Sequence, residues 1–380
     1  MALRKTKSIV WPILAALLVW SGAGNTPLIL QIRGDIWTWS SITTGPIKRT
    51  NWGFNQQPIV APNGKMAAYR STATLAVEVA KTSGTMPRVD LPSNIWLMDL
   101  NTGDALRIVD QPPDASYLKA PNTDKYLVRS TPTWSPDSRY LAWTQLLVDV
   151  TNPSIPPQGV NQLVVYSLDT RTESIVSPML PAQSGISGVL PTSWGTPGIA
   201  ILSLTPHGPG NSSAEQAILI FDIKGNLLSK ITLAQIYEFA WVKDSDQTFL
   251  AMLGKTADNS AAQWLLVDPV TSRIFSMPGV PEMYSLLAPN GLSVFPTILG
   301  VAPEWEIAGT GRSKLGNIDD VYVFTHALTI SPDGQQIAFI QQGAAYVYTD
   351  GQLAKVANAD AAGLGWGPVG WRVRRKIGAS

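Results

Sequence analysis

The sequence predicts an all-β chain that folds as a seven-bladed β-propeller behind an N-terminal export segment. Three observations lead to this prediction: a hairpin motif that recurs along the chain, the near-even spacing of its turns, and two half-units at opposite ends. Propeller blades are four-stranded antiparallel sheets that repeat about every 40–45 residues, so each observation specifies where strands should lie.

The first hairpin motif is an apolar strand, a turn rich in Pro, Asp, Asn or Gly, and a second apolar strand. Clear copies lie at 59–71, 133–145 and 329–341, weaker ones at 193–204, 240–253 and 286–298, and a degenerate one at 365–377. Pro presets φ for the first central turn position, Asp or Asn tolerates the next, and Gly accepts a positive φ. Each copy therefore predicts a tight hairpin.

A second apolar hairpin, centred on Asp, follows each first one. Its copies lie at 94–109, 162–177, 217–232, 263–278 and, in shortened form, 344–357. The partner of 286–298 has no clear motif, and we expect it within 304–325. Each pair of motifs predicts four antiparallel strands, which make one blade.

The two ends of the chain predict how the ring closes. The last unit, 365–377, has a first hairpin but no sequence left for a second, and 35–50 reads as a second hairpin without a first. We expect both to share the seventh blade, which would remove two exposed sheet edges. The alternative is a pair of β-sandwiches with similar turns.

The N-terminus has the order of a secretory signal. Arg4, Lys5 and Lys7 precede an apolar stretch at 9–20, and small residues follow at 21–24. This order predicts residues 1–24 as a signal peptide or, if uncleaved, a membrane anchor with membrane contact through residues 8–24. Residues 25–380 are then the propeller, in a periplasmic or extracellular location.

Composition excludes several kinds of site. The chain has no cysteine, which rules out disulfides, Cys-ligated metals, a thiol nucleophile and a lipoprotein anchor. The net charge is +1, so nucleic acid is not an expected partner. His207 and His326 are too few for a His-rich metal site, and no GxSxG, HExxH or phosphate-loop pattern occurs. We predict no cofactor, no metal and no catalytic residue.

The Ser-Pro-Asp-Ser and Ser-Pro-Asp-Gly turns at 135–138 and 331–334 resemble those of the WD40-like PD40 repeats. The Asn-Ile-Trp and Thr-Gly elements within 94–103 fit the same group. Such repeats form the TolB propeller and the propeller domains of prolyl-oligopeptidase-type proteins. The resemblance implies the fold and export, and for a TolB-type protein it implies binding of protein partners in the cell envelope.

Four insertions predict where a site could lie, and we expect them to be loops on one face of the propeller. They are 72–93, 111–130, 146–161 and 206–215. The first two carry charged and aromatic side chains that are common binding anchors. The candidate binding residues are Arg88, Asp90, Asp114, Tyr117, Asp124, Tyr126 and Arg129.

The expected function is a non-enzymatic, protein-binding or scaffold module of the cell envelope, or a subunit of a membrane-anchored complex. The alternative is a carbohydrate- or peptide-active enzyme at the propeller mouth, whose acid/base pair would come from Asp90, Asp114 and Asp124. A small-ligand sensor that uses the channel is a third hypothesis.

Overall fold

The computed structural model describes residues 26–41, 43–83, 92–112, 125–149, 158–177, 180–181, 190, 192–205, 215–244, 247–256, 263–276, 284–287, 293–298, 304–308, 313–317, 327–349, 351–358, 360–366 and 371–373. Within these ranges the protein is all-β with almost no helix, as predicted. The predicted export segment at residues 1–24 lies outside the described residues.

The strands of the first half are β1 (Leu28–Ile32), β2 (Asp35–Trp39), β3 (Ile47–Lys48), β4 (Asn55–Val60), β5 (Met66–Thr72), β6 (Ser93–Asp99), β7 (Ala105–Val109), β8 (Lys125–Arg129), β9 (Thr133–Trp134), β10 (Tyr140–Asp149), β11 (Gln158–Ser167), β12 (Thr172–Ile175), β13 (Leu180–Pro181), β14 (Thr192–Gly195) and β15 (Gly198–Thr205).

The strands of the second half are β16 (Glu215–Phe221), β17 (Leu227–Leu233), β18 (Gln235–Asp244), β19 (Gln247–Lys255), β20 (Gln263–Val267), β21 (Ile274–Ser276), β22 (Tyr284–Leu287), β23 (Ser293–Ile298), β24 (Glu304–Ala308), β25 (Ser313–Asn317), β26 (Leu328–Ile330), β27 (Gln336–Gln341), β28 (Ala344–Thr349), β29 (Gln352–Ala357), β30 (Ala361–Gly365) and β31 (Trp371–Val373).

Most sheets are four-stranded antiparallel meanders in chain order, as the paired motifs predict. Three of them are β4–β7, β14–β17 and β26–β29. The strands β18–β21 and β22–β25 form two more, which β31 joins into one nine-stranded sheet. Strands β24 and β25 lie within 304–325, where the missing hairpin was expected.

The sheet built from β8 to β13 extends beyond a simple meander. Strands β10 and β11 pair along their whole length, from Tyr140 opposite Ser167 to Asp149 opposite Gln158. The predicted insertion at 146–161 is therefore partly a continuation of this hairpin. Strand β8 pairs with the C-terminal half of β10, from Gln145 to Asp149. Strand β9 pairs with the N-terminal part of β10, at Leu141 and Ala142.

The closing sheet differs from the prediction in the number of strands that the N-terminal and C-terminal parts of the chain each supply. Its order is β3-β2-β1-β30, so the N-terminus supplies three strands and the C-terminus one. The predicted hairpin at 365–377 is wrong: β30 ends at Gly365, and β31 lies between β18 and β22. The reason is that β1 is apolar enough to be buried and pairs with both β2 and β30.

The hairpin from β1 to β2 has a turn that its residue types did not reveal. Its central residues are Arg33 with φ +52° and Gly34 with φ +71°, which is the type I′ pattern of two-residue hairpins. A Cβ at position 34 would lie 2.0 Å from the main-chain oxygen of Gly53, so glycine is required there. Asn-Gly or Asp-Gly is the usual signal, and Arg-Gly does not stand out.

Neighbouring sheets pack face to face through apolar side chains. In β11, Leu163 and Val165 face the core shared with the β14–β17 sheet. Val164 and Tyr166 face the core shared with the β4–β7 sheet. Successive strand residues point to opposite faces, so a central strand that is buried on both sides has to be apolar throughout. This is why the central strands read as apolar runs.

The innermost strands contact one another around a closed circle. The circle runs β30, β4, β9, β14, β18, β31, β22, β26 and back to β30. Apolar cores fill the space between the closing sheet and both of its neighbours, the β4–β7 and β26–β29 sheets. The two ends of the chain therefore meet in one sheet and complete the circle.

The two Ser-Pro-Asp turns have the same hydrogen bonds. Ser135 Oγ donates to Asp137 Oδ1 at 2.6 Å and accepts from the Tyr140 N–H at 2.9 Å. Ser331 Oγ donates to Asp333 Oδ1 at 2.5 Å and accepts from the Gln336 N–H at 2.9 Å. The structure thus confirms both aspartates as turn formers.

The 72–93 insertion contains a helix where a loop was predicted. This helix, α1 (Thr74–Ser83), buries Ala76 and Val77 and exposes Glu78 and Lys81. One apolar side against the protein is the pattern of a surface helix. Within the described part of the chain, no helix is long and apolar enough to cross a membrane.

Candidate functional site

A cavity with mixed polar and apolar walls lies beside the innermost strands of three consecutive sheets. Its volume is about 490 Å³. Its walls come from β4 and β5, from the chain around β9, and from β14. Apolar surface is supplied by Ile59, Val60, Pro62 and Trp134. Because innermost strands surround the centre of a propeller, the cavity lies close to the axis of the ring.

Two interruptions in the inner strands open this space. In β4 the pairing with β5 shifts register after Gln56, and Gln57 has φ +49°. Between β8 and β9 the chain leaves the strand pairing at 130–132. Pro58 and Pro132 lie in these two interruptions and lack the N–H that regular pairing requires. Regular strands would place main chain where the cavity now lies.

Arg70 is the one ionisable side chain among the described residues that line the cavity. It is in β5, and only 8% of its surface is exposed. Its Nη1 donates to the main-chain oxygen of Arg129 at 3.0 Å, and its Nη2 donates to Gln56 Oε1. Burial lowers the pKa of Arg70 from its ordinary value. The site therefore holds a guanidinium largely removed from water.

The other polar groups of the cavity are neutral. They belong to Gln57, Ser130, Thr131, Thr133, Thr192 and Ser193. Thr131 Oγ1 donates to Gln57 Oε1 and so bridges the two interrupted strands. Thr192 Oγ1 is buried and has no hydrogen-bond partner within the described residues. These side chains offer hydroxyl and amide groups around one positive charge.

Tryptophan side chains tie successive inner strands together around the cavity. Trp134 Nε1 donates to the main-chain oxygen of Ile59 at 3.1 Å, which joins β9 to β4. Trp241 Nε1 donates to the main-chain oxygen of Ser193 at 3.1 Å, which joins β18 to β14. A buried indole N–H needs such an acceptor, and here the acceptor belongs to the preceding sheet. The cavity walls are thus held by bonds between sheets.

Arg129, a predicted binding residue, lies buried at the end of β8, with 1% of its surface exposed. Its Nη1 donates to the Ser93 oxygen at 2.6 Å, and its Nη2 donates to the Asp110 oxygen at 2.9 Å. Burial lowers its pKa to about 10, although the charges of Glu173 and Asp110 oppose this shift. Its guanidinium joins β8 to the β4–β7 sheet.

The remaining predicted site residues fall into two groups. Tyr126 lies half-buried in β8, where it pairs with Val148 of β10. The others, Arg88, Asp90, Asp114, Tyr117 and Asp124, lie outside the described residues. Their roles remain predictions. Within the described part of the chain, no group of three His, Asp or Glu side chains could hold a metal ion.

The residues of the cavity were not predicted as a site. Arg70 lies in the second strand of the first motif, where it looked like one more residue of a repeat. Gln57 precedes that motif, and Thr131 lies 74 residues after Gln57. The available signals were the prolines at 58 and 132, since proline interrupts an inner strand.

Comparison with solved structures supports the fold. An acylaminoacyl peptidase in complex with Z-Gly-Gly-Phe-chloromethyl ketone matches with a TM-score of 0.50 and 10% identity, over 85% of this chain and 48% of that one. The tricorn protease matches with a TM-score of 0.50 and 10% identity, over 89% and 34%. The chain thus spans about half and about a third of these two proteins.

TolB from Acinetobacter baumannii also matches, with 16% identity over 82% of this chain and 62% of that one. Its TM-score is 0.38, which is too low to bear on function. No family model matches the sequence, and no curated protein matches it significantly. The antiparallel sheets and the closed circle of inner strands show a β-propeller, and the two likenesses with a TM-score of 0.50 agree with this fold. The resemblance to WD40-like PD40 propellers is thus confirmed at the level of the fold.

Proposed function

We propose that the protein is an exported, non-enzymatic propeller that acts as a protein-binding or scaffold module of the cell envelope. The observation that supports this best is the chemistry of the cavity. Among the described residues, its one ionisable lining side chain is Arg70. A guanidinium stays protonated and cannot exchange protons as an acid or base, whereas it binds well. The surrounding hydroxyl and amide groups suit recognition rather than bond cleavage.

The proposed propeller has seven blades. Six are the meanders β4–β7, β9–β12, β14–β17, β18–β21, β22–β25 and β26–β29. The seventh is the closing sheet of β30 with β1–β3. This count is supported by the circle of inner strands, to which each of the seven blades contributes its first strand. The eighth member of the circle, β31, is an additional strand between β18 and β22. A ring closed in this way leaves no open edge between the first and last blades.

The proposed location is periplasmic or extracellular, with residues 1–24 acting as a signal peptide or as a membrane anchor. The supporting observation is the order of positive residues, apolar stretch and small residues at the N-terminus. If the segment stays uncleaved, β1 begins only a few residues after it, at Leu28. The closing sheet would then lie near the membrane, as expected for a subunit of a membrane-anchored complex.

The predicted binding residues fit this proposal by their position along the chain. Arg88 and Asp90 lie between α1 and β6, and Asp114, Tyr117 and Asp124 lie between β7 and β8. These connections begin and end on the two sheets that supply Arg70 and Thr131 to the cavity. We propose that they extend the binding surface that the cavity begins.

A pull-down with a cavity-blocking variant tests the proposal. The tagged full chain would be expressed in its native envelope, solubilised in detergent and captured. We expect a stoichiometric protein partner with the wild type, and its loss with Thr131→Phe, because the larger side chain fills the cavity. Thr170→Phe, in an exposed turn, is the matched control and should retain the partner. Equal recovery with both variants would place the partner elsewhere.

The enzymatic alternative is decided by a separate assay. The purified chain would be incubated with labelled peptides and oligosaccharides. If the protein is the proposed binding module, the peptides and the oligosaccharides should both remain intact. Turnover that disappears on substitution of Asp90, Asp114 or Asp124 by Asn would establish the alternative, since a glycosidase or peptidase of that kind needs its carboxylates.

A further inference from the structure

The buried charge of Arg70 lacks an acidic partner in the described structure. No described carboxylate forms a salt bridge with it, although four other ion pairs are present within those residues. Its described acceptors are the neutral oxygens of Arg129 and Gln56. Placing a cation in a poorly solvated site is costly unless an anion compensates it. The arrangement therefore favours an anionic ligand.

The walls of the cavity define the kind of anion that it suits. Thr131 and Ser193 bring hydroxyl groups to the lining. Ile59 and Trp134 offer apolar surface in the same cavity. A volume of about 490 Å³ lies within the range of small-ligand sites, roughly 300–1,000 Å³. The ligand should thus combine one polar, charged end with an apolar body.

We propose that this cavity binds a carboxylate group, with the guanidinium of Arg70 as its main contact. The inference rests on the proposed function, in which the cavity is a binding site for a partner. A guanidinium and a carboxylate match in charge and geometry. The single cation among the described lining residues balances a single negative charge, whereas a phosphate dianion would remain partly uncompensated. The carboxylate is either the C-terminus of a peptide or a free small acid.

The test compares ligands that differ only in this group. The full chain in detergent micelles would be offered a randomised library of N-acetylated tripeptides with free C-termini, the same library with C-terminal amides, propionate, and inorganic phosphate. We expect the free-carboxylate library to be retained about 10-fold more than the amidated one, because a charged hydrogen bond is lost in the amide. Stronger retention of the library than of propionate identifies a peptide terminus, and the reverse identifies a free acid.

Matched variants assign the effect to the cavity. Arg70→Gln should reduce retention of the free-carboxylate library to that of the amidated library. Arg139→Gln removes an exposed guanidinium that pairs with Asp169, and should change nothing. Thr131→Val, which leaves the buried charge in place and removes a hydroxyl group of the lining, should weaken retention several-fold. It serves as the test if Arg70→Gln fails to fold by circular dichroism.

Three results would overturn the inference: equal retention of both libraries, preferred retention of phosphate, or full retention by a folded Arg70→Gln or Thr131→Val variant. The pull-down separates these failures from failure of the module itself. If Arg70→Gln still captures a partner, the protein-binding function is retained and only the proposed carboxylate recognition is refuted. A wild type that captures no partner would remove the proposed function.

Discussion

Arg70 Nη1 donates a hydrogen bond to the main-chain oxygen of Arg129 at 3.0 Å, which ties the second strand of one sheet to an inner strand of the next. The two guanidinium groups then have different roles. Arg70 lines the cavity, whereas Arg129 bonds to the oxygens of Ser93 and Asp110. Arg70 therefore lines the candidate site, and Arg129 holds β8, whose main chain accepts the hydrogen bond from Arg70.

Arg129→Met should lower the free energy of unfolding by about 2–4 kcal/mol. The change removes the charged donor of the Ser93 and Asp110 carbonyl oxygens, of which the Ser93 oxygen keeps a bond from Gln111 Nε2. Urea unfolding, followed by tryptophan fluorescence, gives the measurement. Arg139→Met is the control, because its ion pair with Asp169 is exposed and should matter little. An Arg129→Met variant as stable as the control would show that the guanidinium bonds do not hold β8.

Trp134→Phe should cost about 1–2 kcal/mol of unfolding free energy, because the Ile59 oxygen loses its indole donor. Trp37→Phe is the matched control. Its Nε1 is buried without a hydrogen-bond partner in the described structure, so the loss of that N–H removes an unpaired donor. Chemical denaturation of both variants should show that Trp37→Phe loses less unfolding free energy than Trp134→Phe. The opposite order would mean that the bond between β9 and β4 contributes little.

The repeated turns show how far sequence reasoning could reach. Pro136 and Asp137, like the corresponding residues at 332 and 333, specify a turn by local chemistry alone. Flanking apolar runs specify strands buried on both faces, as Leu163 and Val164 show by facing different cores. Local patterns therefore predicted hairpins and their pairing into sheets.

The cavity and the closing sheet depend on contacts between distant residues, and local patterns do not encode them. Gln57 and Thr131 bridge strands of different sheets, and each looks like an ordinary polar residue in its own segment. Strand β31 could not be placed because its neighbours, β18 and β22, belong to other repeats. Such choices follow from which strand edges remain free once the hairpins have formed.

The pH dependence of stability should reflect Asp35. Burial raises its pKa, but the bonds from Lys48, the Gly53 N–H and Thr50 outweigh burial and hold it below its ordinary value. A lowered native pKa stabilises the fold above the unfolded value of about 3.9, and this contribution disappears as the pH falls through the native pKa.

Asp35→Asn should therefore destabilise the protein near neutral pH and progressively less below about pH 4. Urea unfolding of wild type and variant across this range gives the comparison. A stability difference that stays constant with pH would mean that the charge of Asp35 does not support the turn after β3.

A disulfide between positions 31 and 363 should form within the closing sheet, although Gln31→Cys removes the side-chain acceptor of the Gln57 N–H. These residues are opposite each other in β1 and β30, and a Cβ at Gly363 would lie 3.9 Å from the Gln31 Cβ. Disulfides need about 3.5–4.5 Å between these atoms. The chain has no cysteine, so Gln31→Cys with Gly363→Cys gives one defined pair.

Mass spectrometry and non-reducing electrophoresis after mild oxidation would detect this link. Gln31→Cys with Gln352→Cys, which places the second thiol on the adjacent sheet, should stay reduced. A chain that fails to cross-link at 31 and 363, or cross-links equally in the control, would refute the joining of the two ends in one sheet.

The central claim is that the cavity beside β4, β9 and β14 contacts a partner, and site-specific photo-crosslinking in the native envelope tests it most directly. A photoreactive amino acid would replace Thr131 in the cavity or Thr170 in an exposed turn. We predict a discrete cross-linked partner from position 131 and none from position 170. No cross-link at 131, or the same adduct from both positions, would contradict the account.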